Sequence, residues 1–205
     1  MTRFIIYYLL LTLTLTAGYL SYTAPMEVYT NQPSNNITQP YKKQRRKVIH
    51  DGAVDKITAT ILELAPHLDS PAAKQYATLI YQECCIYKHD WRLIVAIMQV
   101  ESRFKQGATS YKGAIGLMQL MPNTAKYLLP KLGMPITAQV REPELNIKLG
   151  VYYLDVLQER FDDIETAIVA YNRGPSRVRR EIRKGKYETG YLDKVMDCYN
   201  TLKES

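Results

Sequence analysis

One acidic residue, Glu101, occurs in the stretch "WRLIVAIMQVESRFKQGATSYKGAIGLMQLMP" that spans residues 91–122. If the segment from Trp91 is helical, at about 100° per residue, Glu101 shares a side with Ile94, Ile97 and Met98, while Arg92, Gln99 and Arg103 face the other way. A carboxylate on such an apolar stripe loses hydration. It must therefore be paired with a base, open onto a cleft, or keep its proton above the ordinary carboxyl value of about 4.3. The last two describe a general acid. The first, a glutamate at the stripe's edge paired with Arg103 or a more distant base, describes ordinary structure, and periodicity alone leaves both open.

Bond cleavage by two carboxylates, as in most glycosidases, needs a second Asp or Glu across the scissile bond. Residues 102–141 contain none, and the candidates Asp162, Asp163, Glu165 and Glu188 are remote in sequence. The simpler inference is one working carboxylate in a reaction that takes no nucleophile from the protein. Other chemistries find less support. His50, His67 and His89 lack metal-ligand spacing and read as surface or helix-end residues, and Cys84, Cys85 and Cys198 form no CxxC. Ser102 and Ser110 have no nearby histidine or elbow motif. No metal and no cofactor is expected.

The elements that must position Glu101 read as short helices over 53–65, 71–87, 91–103, 122–132, 143–160, 163–172, 176–184 and 190–202, with no sustained period-two alternation. Asp90 suits an N-cap, and Pro122 and Pro143 suit first turns. Leu145, Leu149, Tyr152, Val156 and Leu157 mark the expected buried stripe of one helix. Between these helices, "KQGATSYKGAIG" at 105–116 is a glycine-rich loop that either brings backbone close to a ligand or simply connects. The fold class is all-α, without internal repeats.

At 205 residues, 46% hydrophobic and 23% charged, the chain holds one domain of ordinary size plus an extra segment at the front. The uncharged run "FIIYYLLLTLTLTAGYL" at 4–20 makes 1–24 a signal peptide or membrane anchor. An uncleaved anchor is favoured, because Pro25 follows the best cleavage match at Ala24 and Ala17 lies inside the run. No cysteine follows the run to carry a lipid, and the nearby charge places the remainder outside the cytoplasm. Residues 25–51, polar and rich in Pro and Asn, read as a disordered linker with a basic end from Lys42 to Lys47. The "NIT" at Asn36 is a weak glycosylation match. The domain then occupies 52–205. One disulfide at most is expected, from Cys198 to Cys84 or Cys85, against the alternative of free thiols.

Five stretches, in order, resemble the signature blocks of the soluble lytic transglycosylase family: "VESRF", "GAIGLMQLMP", "EPELNIKLG" where the family commonly has "DPELNI", "AYNRGPSRV" and "ETGYLDKV". The resemblance covers about 75–200. It implies a lysozyme-like domain of short helices around a glycan cleft. It also implies cleavage of the β-1,4 bond between N-acetylmuramic acid and N-acetylglucosamine in peptidoglycan, leaving 1,6-anhydro ends. Glu101 then matches the acid and base, Ser110 a serine beside it, Gln119 and Met121 glycan contacts, and Tyr171 and Asn172 the cleft wall. Glu188 and Tyr191 match residues that border the peptide-facing side. Without the resemblance, Leu117, Met118 and Tyr171 would read as core, Asn172 as a helix end and Ser102 as packing.

The implied partner is the glycan strand of the wall, with the membrane a second one if the front segment is retained. The resemblance thus points to an exported monomer of the periplasm or envelope. Two alternatives remain: a muramidase of the same fold that uses water, and a non-catalytic wall-binding module that scaffolds a secretion or division machine. Arg173 departs from the family, which often has a small residue there. It heads a segment carrying Arg177, Arg179, Arg180, Arg183, Lys184 and Lys186 against Glu181 alone, a surplus for stem-peptide carboxylates, anionic lipid or bulk solvent. The net charge of +7 agrees with a polyanionic wall. Nucleic acid is not an expected partner, since groove-reading elements are missing.

Overall fold

The computed structural model describes residues 38–185 and 188–204, with side chains from residue 50. The apolar run at 4–20, residues 25–37 of the expected linker and with them Asn36 lie outside the described residues. Contacts divide the chain into Met1–Gln44 and Arg45–Ser205; apart from the start of the first helix, the elements described belong to the second unit. Eight helices are present among the described residues: α1 (Thr38–Leu64), α2 (Ser70–Tyr87), α3 (Trp91–Glu101), α4 (Pro122–Leu128), α5 (Pro143–Phe161), α6 (Ile164–Arg173), α7 (Pro175–Arg183) and α8 (Gly190–Glu204). A 3-10 turn, Leu129–Leu132, follows α4. None of these helices is long and apolar enough to cross a membrane.

Short polar residues and prolines set the helix starts. Asp69 accepts from the Ala72 N–H at 2.8 Å, Asp90 from Arg92 at 2.9 Å and Asp163 from Thr166 at 2.8 Å; each satisfies a backbone donor that the first turn leaves over. Pro122, Pro143 and Pro175 sit in first turns, where no N–H is missed. Two expected boundaries move. Helix α1 begins at Thr38, inside the stretch read as linker, because 41–51 is rich in Lys, Gln and Arg and carries neither Pro nor Gly to interrupt it. Helix α3 stops at Glu101 instead of 103, since Arg103 and Phe104 take φ of 49° and 58°.

Helix α3 is buried nearly all round, with Leu93, Ile94, Val95, Ala96, Ile97 and Met98 inside, so it is a central helix more than an amphipathic one. Helix α8 packs on α3 and α6, α5 on α2 and α6, and α7 on α6. Full burial of Ile94, Ile97 and Met98 contributes roughly 1.5–3 kcal/mol per side chain. The stripe of α5 differs from the expected one. Its buried line is Pro143, Asn146, Ile147, Gly150, Val151, Leu154 and Leu157, with Leu149, while Leu145, Tyr152 and Val156 are only half-buried.

The three cysteines are free thiols, which is the second of the two readings above; no bridge joins Cys198 to Cys84 or Cys85. Their helices make their main contacts elsewhere, α2 with α5 and α8 with α3. Burial pushes the Cys84 thiol up to about 12, so it packs as a small apolar group.

Candidate active site

Glu101 is the last residue of α3, and the chain behind it turns sharply. Two successive left-handed residues, Arg103 and Phe104, cost about 1–2 kcal/mol each. The wholly buried Phe104 ring offsets part of that strain. The loop thus folds back under the helix end. The buried Ser102 hydroxyl donates to the Leu117 carbonyl at 2.7 Å, which makes it a packing residue.

What the loop packs against is a polar side chain from α5. Asn146 is fully buried; its oxygen accepts from the Met118 N–H at 2.7 Å, and its amide nitrogen donates to Ile115 at 3.1 Å and Val140 at 2.9 Å. Tyr171 on α6 donates to the Met118 carbonyl at 2.9 Å. Gln119 takes a left-handed φ of 47°, and its amide nitrogen closes onto Gly116 and Ala108 at 2.8 and 3.2 Å. Two isolated bridges, Thr109 to Ile115 and Ile115 to Leu120, pin the ends. Buried backbone groups that no helix can satisfy are thereby paired, and the loop is rigid where it borders Glu101.

Between loop, α5 and α6 lies a cleft of about 340 Å³ lined by Glu101, Ser110, Gln119, Met121, Tyr171 and Asn172, together with Tyr111, Lys112, Thr124 and Tyr153. Glu101 accepts a hydrogen bond from the Tyr191 hydroxyl at 2.6 Å. No base pairs with it among the described residues, so the reading of an ordinary ion pair with Arg103 does not hold. Burial raises its carboxyl from the usual 4.5 to about 7, and the Tyr191 hydrogen bond pulls the other way. The same burial, with the Glu101 charge nearby, lifts Tyr171 and Tyr191 well above the ordinary phenol value. Both phenols therefore act as neutral donors.

Of the residues singled out in the sequence, Ser110, Gln119, Met121, Tyr171 and Asn172 share the cleft with Glu101, and Tyr191 touches Glu101 directly. Ser110 accepts from the Ala114 N–H at 3.0 Å. Gln119 spends its amide nitrogen on the loop and keeps its oxygen. Met121 is 40% exposed at the rim. Glu188 is not among the lining residues. It is largely exposed and pairs with Arg173, whose other nitrogen reaches Glu181 at 2.8 Å. Arg173 is thus engaged within the protein, and the basic surplus starts beyond Arg177, which also holds Glu181.

Sequence reasoning missed Tyr111, Lys112, Thr124 and Tyr153. Tyr111 is 92% exposed, a flat apolar face of the kind on which sugar rings stack. The available signal was an aromatic in a loop of small residues. Tyr153 was hidden beside Tyr152 on α5; its ring lies 5.3 Å from that of Tyr171.

Tyr191→Phe tests the local electrostatics. The phenol stabilises the ionised carboxylate, so its removal raises the Glu101 pKa further. A charge-assisted hydrogen bond is worth about 1.5–3 kcal/mol, which bounds the shift at roughly 1–2 pH units. If Glu101 acts as an acid, the alkaline limb of the pH–rate profile moves to higher pH in Tyr191→Phe while the maximal rate falls. A limb that stays in place or moves to lower pH contradicts the assignment.

The sequence profile of the transglycosylase SLT domain family matches residues 78–193. Membrane-bound lytic murein transglycosylase C of Photorhabdus laumondii is 37% identical over 162 residues, which cover 71% of this chain and 45% of that protein. Its namesake in Haemophilus influenzae is 36% identical over 151 residues, 68% of this chain and 42% of that one. The chain thus spans less than half the length of these relatives. Among solved structures, the 70 kDa soluble lytic transglycosylase of Escherichia coli shares the fold at a TM-score of 0.51 and 21% identity, over 74% of this chain and 27% of that one. A 70 kDa soluble lytic transglycosylase in complex with bulgecin A gives 0.52 at 20% identity, over 74% and 28%.

Proposed function

The chain belongs to the transglycosylase SLT domain family, and on that premise we propose that it cleaves the β-1,4 bond between N-acetylmuramic acid and N-acetylglucosamine in peptidoglycan without consuming water. Glu101, protonated, gives its proton to the bridging oxygen as the bond from the muramyl anomeric carbon to that oxygen breaks. The substrate's N-acetyl group assists. The resulting carboxylate takes the proton of the muramyl 6-hydroxyl as that oxygen bonds to the anomeric carbon. One carboxyl group is returned to its starting state, and a 1,6-anhydro end is left.

The observation that carries this reading is the solitude of Glu101. No other Asp or Glu lines the cleft among the described residues, whereas two-carboxylate glycosidases place the second group about 5–10 Å from the first. A pKa near 7 suits a group that must both give and take a proton near neutrality. Tyr191, Tyr171 and Gln119 would orient the carboxyl and the sugar, and Tyr111 and Met121 would cover its apolar face. For location, the relatives are named as membrane-bound, and the uncharged run at 4–20 suits an export signal or anchor. We place the chain in the cell envelope on those grounds.

Mass spectrometry of digested sacculi decides the reaction. Muropeptides lighter by one water than the hydrolysis products are expected, and muramyl ends that borohydride reduces would assign the chain to a hydrolase instead.

A further inference from the structure

Helix α5 sends Tyr153 into the cleft. Asp155, two residues on, projects about 200° away around the helix axis and lines a second depression of about 390 Å³, together with Lys88, His89, Gln158, Glu159 and Asp162. Three carboxylates face one lysine there, which alone would be an ordinary acidic surface. His89 makes it more than that. Its side chain is only 5% exposed and stands 3.8 Å from the Asp155 carboxylate, too far for a hydrogen bond. Its Nε2 is buried without any hydrogen-bond partner. Buried polar atoms in native proteins are nearly always paired, so an orphan ring nitrogen at the wall of a depression marks a place for an outside group.

The chemistry of that group follows from the lining. Burial holds His89 below its ordinary pKa against the opposing pull of Asp155, so the imidazole is neutral and can present an acceptor at Nε2. No three His, Cys, Asp or Glu side chains converge as a metal site among the described residues. A primary ammonium has three donors, a full positive charge and a small radius, which match the acceptors that His89, Asp155, Gln158 and Glu159 bring to this lining. Lys88 at the edge suits a neighbouring carboxylate. We propose that this depression, on the side of α5 turned away from the cleft, binds a primary ammonium group, and that its source is the free amine of a diamino acid in the wall's stem peptides. The choice of source rests on the function proposed above; the ammonium chemistry does not.

The test uses the full chain with Glu101→Gln, so that the wall is held and not digested. Its sedimentation with intact sacculi is compared with that on sacculi whose amines have been acetylated. Acetylation makes the wall more anionic, so general attraction of a strongly basic chain would strengthen retention; the site requires a weakening of about fivefold or more. Adding Asp155→Asn must cause a similar loss on intact sacculi and little further loss on acetylated ones. Retention unchanged or increased by acetylation overturns the wall amine as source, as does an Asp155→Asn loss of equal size on both walls.

Free 2,6-diaminopimelic acid and methylamine, titrated against the histidine ring resonances of the wild-type chain, separate the chemistry from its source. Saturable shifts of His89 with both, lost in Asp155→Asn, support the ammonium site. Absence of shifts with both overturns it. A wild-type chain that releases anhydro-ended products yet fails here refutes the second site alone. A chain that passes here but yields reducing ends refutes only the reaction.

Discussion

Glu101→Gln is expected to lower the initial rate of sacculus solubilisation by about 10³–10⁴, because on the proposed mechanism one group serves as acid and then as base and proton transfer of this kind is worth about 10²–10⁴. The fold survives, since Gln fits the same space and can still take the Tyr191 hydrogen bond. The variant also becomes the more stable protein in alkali. In the native state the Glu101 carboxyl titrates at about 7 against an ordinary 4.5, so the folded chain holds a proton that the unfolded chain has already released. Stability from this group is complete below about pH 4.5 and is lost as pH rises through 7. The loss amounts to at most about 3 kcal/mol at pH 8, less for the part of the carboxyl open to the cleft. Gln has no such dependence. Thermal melts at pH 5 and pH 8 therefore show the Tm difference between variant and wild type growing in the variant's favour with pH. An undiminished rate refutes the catalytic role, and a Tm difference independent of pH refutes the burial argument behind it.

The parts of the fold that were legible share a physical origin in short-range chemistry. A capping Asp or a first-turn Pro acts over three or four residues, so Asp90, Pro122 and Pro143 marked their helices in the sequence and occupy those places in the structure. The end of α3 is different: Arg103 and Phe104 take a left-handed backbone while the Phe104 ring is wholly buried, and no local signal reports that burial. For the site, Glu101 was suspect from its place among apolar neighbours. The remaining cleft residues came from their likeness to family blocks, since nothing in spacing tells a wall tyrosine from a core one. Glu188, matched to the peptide-facing border and not to the cleft wall, pairs with Arg173 and stays outside the cleft lining. Tyr111 and Tyr153 needed the three-dimensional meeting of loop and helix before they could be noticed.

The buried line of α5 departs from its apolar stripe for a physical reason. Counting apolar side chains passes over Asn146 and Gly150, which lie in its buried line, because a polar residue and a side-chain-less one look like solvent positions. Both face the loop. A Cβ at Gly150 would stand 2.3 Å from the Met118 sulfur, and one at Gly116 would stand 2.3 Å from the Asn146 amide nitrogen, at a φ of 80° that only glycine takes easily. Gly116→Ala therefore drives the Asn146 amide off its partners. Asn146→Ala removes it and leaves the buried Met118 N–H and Val140 carbonyl without their partner. Unpaired buried groups cost about 1–3 kcal/mol each, so each variant loses roughly 3–5 kcal/mol in urea unfolding, and the Ser110-to-Met121 wall of the cleft loosens with it.

The double variant identifies the cause. If Gly116→Ala acts by displacing Asn146, its cost in the Asn146→Ala background shrinks to the backbone term of about 1 kcal/mol. Additive losses would mean that the two positions act separately and that the loop does not hang on this one amide. The proposed wall-cleaving activity, measured well below each variant's unfolding midpoint, is expected to fall in all three, because the loop that Asn146 holds supplies Ser110, Gln119 and Met121 to the cleft that Glu101 lines.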